Sequence, residues 1–237
     1  MKPRVKLGRV VAVQPNFERA YNRIATICFH IGRLEEARRA HASARRSNPK
    51  TRSGNLEFID LYSGDFARAE EGAEAWVREG PGVTYALWFY PQPPLLSGRL
   101  DVAEQRLAIA QHQLPDDPLI ITLYGMLHAR REQAGPALDC VRAALGCPRS
   151  FGHTHHTYYQ VACIYSVLGD TTNAMAWLER SVNTGFPCWP FFKVDPHLER
   201  LREEPEFNQL VGELERKYMA LKIPVMAGRT GRDGSNG

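Results

Sequence analysis

Apolar residues return at every third or fourth position through most of the chain. Tyr21, Ile24, Ala25 and Cys28 fall on one helical face, and Tyr158, Val161, Ala162 and Tyr165 repeat that pattern far downstream. A second regularity is laid over the first. Alanines sit five residues after a glycine at Ala37, Ala69, Ala103 and Ala174, and Ala137 keeps the register with Glu132 in the glycine slot. Their spacings are 32, 34, 34 and 37 residues. Ala44, Trp76, Ala110, Ala144 and Ser181 follow seven residues later, and Pro49, Pro81 and Pro115 close the first three units. Each unit therefore predicts two antiparallel helices. Gly32 ends the first helix, small Ala37 and Ala44 let the second approach it closely, and Pro49 stops the second. A helix pair cannot bury its apolar face alone, so the units must stack into a solenoid.

These residues resemble the tetratricopeptide repeat family, whose unit is a helix pair of 34 residues. The resemblance covers roughly residues 1–190 and is fullest in Tyr21, Ile24, Ala25, Cys28, Gly32, Leu34, Ala37, Ala44 and Pro49. It implies an all-α, right-handed superhelical solenoid of antiparallel helix pairs. About five repeats are expected, over 18–51, 50–83, 84–117, 118–151 and 155–188. The second departs from the family pattern at Glu57 and Asp60, the third at Pro91 and Pro94. Prolines 91, 93 and 94 predict a break in the third repeat's first helix, because each removes a backbone donor and clashes with the preceding turn.

Residues 1–15 read as a leading half-repeat, with Pro15 in register 34 residues before Pro49. Its flank of Val5, Leu7, Val10 and Val11 calls for cover, either from upstream chain or from a second copy. At the other end Asp195-Pro196 predicts an N-cap with proline at the first helical position, opening capping helices over 195–222. The D-P-x-L-x-x-L-R-x-x-P-x-F-x-x-L pattern resembles the segment closing repeat arrays in bacterial serine/threonine kinases, adenylate cyclases and winged-helix regulators. Residues 1–223 thus form the solenoid, and 224–237 lack apolar residues after Ala227 and read as a disordered tail.

Composition narrows function rather than fold. A net charge of +4 over 237 residues, with acids among the bases, gives no nucleic-acid footprint, and no apolar run is long enough for a membrane span. Five cysteines at irregular spacings, without a CxxC pair, predict a reduced, cytoplasmic chain. No kinase motif, P-loop, G-x-S-x-G elbow or H-E-x-x-H is present, so the chain reads as non-enzymatic and without cofactor.

The resemblance places Asn22, Thr26, Phe58, Tyr62, Trp88, Gln92, Thr122, Met126, Tyr159 and Cys163 on the concave face. All but Cys163 are candidate ligand-binding residues of a groove for an apolar partner segment. Asn55 falls on a position that clamps a peptide carboxylate in some members, but Asn22, Tyr85 and Phe89 replace the cations, so no clamp is expected. His153, His155 and His156 form the sequence's metal-like cluster, with His153 and His156 able to share a face; structural or solvated histidines are the favoured reading. The expected role is a protein-binding scaffold in a bacterial signalling or regulatory protein. Alternatives are a metal-dependent enzyme using that cluster, or a homo-oligomer formed through the N-terminal half-repeat.

Overall fold

The computed structural model describes residues 17–223 except 52, 148, 149 and 151. The expected half-repeat over 1–15 and the tail over 224–237 lie outside the described residues. Within them the chain is all helix, arranged as antiparallel pairs. The first pair is α1 (Glu18–His30) with α2 (Leu34–Ser47), the second α3 (Asn55–Tyr62) with α4 (Phe66–Glu79). The third begins as α5 (Thr84–Phe89) and α6 (Gln92–Leu96), followed by α7 (Leu100–Gln113). Then come α8 (Pro118–Arg130) with α9 (Ala134–Gly146), and α10 (Thr154–Leu168) with α11 (Thr171–Thr184). A short α12 (Trp189–Val194), a 3-10 helix (Pro196–Glu203) and α13 (Pro205–Met219) complete the chain.

The register residues do the packing. Ala37, Ala44, Ala69, Ala103, Ala110, Ala137 and Ala174 are all buried at helix crossings, where a larger side chain would hold the helices apart. The turn between α8 and α9 carries Glu132 at φ +60°, the left-handed conformation that glycine holds elsewhere in the array. Asp60, a departure from the family pattern, is buried. Its charge is met by Arg38 of α2 at 2.7 Å and Arg68 of α4 at 3.4 Å.

The third repeat breaks where its prolines require. Gln92 Nε2 donates to the Trp88 carbonyl at 3.0 Å across the break. Pro94 has no N–H to give the Tyr90 carbonyl, and the buried Arg106 guanidinium reaches that oxygen instead, at 3.3 Å. Arg106 also lies 4.2 Å over the Tyr90 ring and pairs with Glu70 and Glu74, so one side chain mends the broken helix.

The C-terminal segment does more than cap the last repeat. Its 3-10 helix starts at Asp195, whose carboxylate accepts the His197 backbone N–H at 2.8 Å, and it packs on α10 and α11. Upstream of it, α12 crosses the concave side and packs against α3 of the second repeat. Trp189 and Pro190 sit against Gly32: a Cβ on that glycine would lie 2.6 Å from both. Arg33 then donates to the carbonyls of Tyr218 (2.8 Å), Met219 (3.3 Å) and Leu221 (2.9 Å), at and just beyond the end of α13. The last helix is thereby clamped to the first repeat, and the array closes on itself.

Candidate functional site

Closure divides the concave face into a filled part and an open part. In the filled part, Phe186 and α12 occupy the groove. Phe191 lies 4.7 Å from the Tyr62 ring and 5.4 Å from the Tyr159 ring, and Phe192 stacks on Tyr159 at 5.5 Å. Beneath them Asp195 accepts the Tyr159 hydroxyl at 2.7 Å and faces Cys163. Burial raises the Asp195 carboxyl, but the His197 imidazole, the Tyr159 hydroxyl and the His197 N–H outweigh it and hold it below the usual range. What is left between Tyr62, Met126, Tyr159 and Phe191 is a cavity of about 20 Å³, room for one water.

The expectation of a groove lying open across four repeats is corrected by this geometry. Tyr62, Met126 and Tyr159 do share the concave face, but the chain's own aromatics cover them. Gln92 is engaged with the helix break, and Thr122 is fully buried with its hydroxyl 2.6 Å from Gln160 Oε1 and 2.7 Å from the Pro118 carbonyl. The signal that could have announced this was the Phe186–Phe192 run, too aromatic for a linker.

The open part is a cleft of about 510 Å³ between the first, second and third repeats. Thr26, Phe58 and Trp88 from the expected set line it, joined by Phe29, Trp76 and Tyr85. Its floor is an aromatic stack, with Phe29 on Phe58 at 5.5 Å and Phe58 against Trp88 at 5.7 Å. Tyr85 is 38% exposed at the rim, and Arg23 and Glu79 supply charge there. One wall is polar and internally tied. Thr26 donates to Asn55 Oδ1 at 3.0 Å, Asn55 Nδ2 to the Asn22 carbonyl at 3.2 Å, and Asn22 Nδ2 to Glu18 at 2.6 Å. Asn55 thus ties the second repeat to the first.

The histidines are arranged differently from the sequence reading. His155 and His156 are buried, whereas His153 is exposed. Their companion is His30, from the end of α1, whose Nε2 lies 3.2 Å from His156 Nε2. Nothing near His30 in sequence marks it; closure alone brings the ends of α1 and α10 together.

Known proteins agree with the fold. A tetratricopeptide repeat profile matches residues 155–183. A chloroplastic protein of Arabidopsis thaliana is 24% identical over 95 residues, 40% of this chain; the matched stretch spans 28% of that protein's length. The crystal structure of a tetratricopeptide repeat protein from Parabacteroides merdae superposes with a TM-score of 0.51 at 16% identity, covering 90% of this chain and 83% of that one. The profile match over residues 155–183 and the structural likeness support a tetratricopeptide repeat assignment, and the likeness shows the fold. Such repeats are generally protein–protein interaction modules and typically non-enzymatic. No helix among the described residues is long and apolar enough to cross a membrane.

Proposed function

We propose that this protein is a non-enzymatic binding module that takes one or two apolar side chains of a partner protein into the cleft at Thr26, Phe58, Tyr85 and Trp88. The observation that carries this reading is the contrast between the two parts of the concave face. One is filled to about 20 Å³ by the chain itself, and the other is left as about 510 Å³ walled by aromatics. Aromatic-walled, concave sites with a charged rim suit a short anchor segment and not an extended one. The resemblance of the closing segment to bacterial signalling arrays supports a place in a signalling or regulatory protein.

A peptide selected from a displayed random library against the full chain provides the probe, and calorimetry the readout. Tyr85→Ala, at the exposed rim, should weaken that peptide by about 2 kcal/mol, roughly 30-fold, with helix content unchanged. Met126→Ala, beneath α12, should lower the melting temperature without a matching loss of affinity per folded molecule. Unchanged affinity in Tyr85→Ala and Phe58→Ala together would place the binding surface elsewhere.

A further inference from the structure

His30 and the His155–His156 pair come from opposite ends of the array and meet at the head of the cleft. Their donor nitrogens all lie within 4.8 Å of one another. Two nitrogens on one tetrahedral zinc ion, each at ~2.0–2.1 Å, sit about 3.3–3.4 Å apart. His30 Nε2 and His156 Nε2 are already at 3.2 Å.

The remaining ring nitrogens show which lone pairs face inward. His30 Nδ1 lies 2.8 Å from the Thr26 carbonyl, which puts the proton on Nδ1 and leaves Nε2 bare. A His155 ring N–H bonds the Thr184 backbone, and its Nδ1 lies beside Gly185. His155 Nε2 is buried with no hydrogen-bond partner, and the residue is 6% exposed. His30 and His155 thus turn their outer ring nitrogens to backbone, as metal-ligating histidines do. A hydrogen bond from His156 would satisfy His30 and still leave His155 Nε2 orphaned. One Lewis acid satisfies all three.

We propose that His30, His155 and His156 bind one divalent transition-metal ion of the zinc class, with a fourth coordination position open toward the cleft. Three imidazoles without a thiolate suit zinc, nickel, copper or iron and not calcium or magnesium. Burial, aided by His153, holds His30 at about 4, and burial with the His30 and His153 rings holds His155 at about 3. The rings are therefore neutral at pH 7, as a metal requires. Phe186 at 4.8 Å and Trp88 at 4.9 Å pack against the His156 ring. Exposed His153, its ring centroid 6.1 Å from that of His30, borders the open position without being needed for the site. Such an ion would bolt the first repeat to the fifth, and it requires no partner segment.

Untagged full-length chain, stripped with a chelator, is titrated with Zn²⁺ alone by calorimetry and assayed for bound metal after gel filtration. One ion per chain is expected. His30→Gln and His155→Gln should each weaken it by at least ~100-fold, since even outer-shell changes reach that range. His153→Gln and the distant His128→Gln should change it by less than about threefold. No uptake, or uptake unchanged in both ligand variants, overturns the site and leaves the three rings as a hydrogen-bonded core contact. Should the variants lose their helical circular dichroism, X-ray absorption of the zinc-loaded wild type decides. Three imidazole nitrogens around the ion support the proposal, and fewer than three overturn it.

Discussion

Replacing Gly32 by alanine probes the closure of the array through a single methyl group. Gly32 has φ +76°, and a side chain in that left-handed region costs about 1–2 kcal/mol. The stiffer unfolded chain offsets about 0.4–1 kcal/mol of this. The new Cβ would also lie 2.6 Å from Pro190 Cδ and Trp189 Nε1, and overpacking of that kind costs about 1–3 kcal/mol. A net loss of about 2–3 kcal/mol is expected. Gly98 supplies the control. Its φ is +75°, but a Cβ there meets only the Arg130 guanidinium tip, at 3.5 Å. Gly98→Ala therefore carries the conformational term alone, about 1 kcal/mol or less. Urea unfolding of both variants, followed by circular dichroism, gives the two losses from the midpoint shift at unchanged slope. The difference measures the seat of Trp189 and Pro190 on the first repeat. Equal losses would mean that α12 does not rest on Gly32, and the closed array would be wrong.

Two further outcomes are expected. Asp195 is held below its unfolded value by His197 and Tyr159, with Cys163 also facing it, so its contribution to stability is full above about pH 4. That contribution is lost as pH falls through the lower folded value, because the unfolded chain then binds more protons. Asp195→Asn should flatten the fall in urea midpoint below about pH 4 while lowering stability at pH 7; an unaltered slope would show that the pair is not coupled. Glu132 holds φ +60° at a cost glycine does not bear, so Glu132→Gly should raise stability by about 0.5–1 kcal/mol, and a loss would mean the side chain is needed there.

The helix pairs were legible because each depends on local chemistry. Small residues recur at the crossings, turn residues follow each first helix, and the chain spaces them by about one family unit. At Glu132 the register was legible, while the left-handed φ of +60° is a finding of the structure. The break before Gln92 and the cap at Asp195 followed from proline's missing N–H and from the carboxylate's fit to a free one. Closure had no local signature beyond the aromatic run Phe186–Phe192. It arises from small rotations accumulated over five repeats, together with a C-terminal segment whose aromatics fit a groove formed by residues far upstream. The cover of Tyr62 and Tyr159 by Phe186, Phe191 and Phe192 depends on that curvature. His30 was invisible for the same reason: 126 positions separate it from His156.

A closed array requires the C-terminal segment to lie inside the concave face, and nuclear Overhauser contacts in the whole chain test this most directly. Ring protons of Tyr62 and Phe191, with centroids 4.7 Å apart, should show strong cross-peaks, and so should the Trp189 indole with the Gly32 α-protons. Absence of both, with Phe191 and Trp189 accessible to a soluble paramagnetic quencher, would mean an open solenoid and would contradict the account.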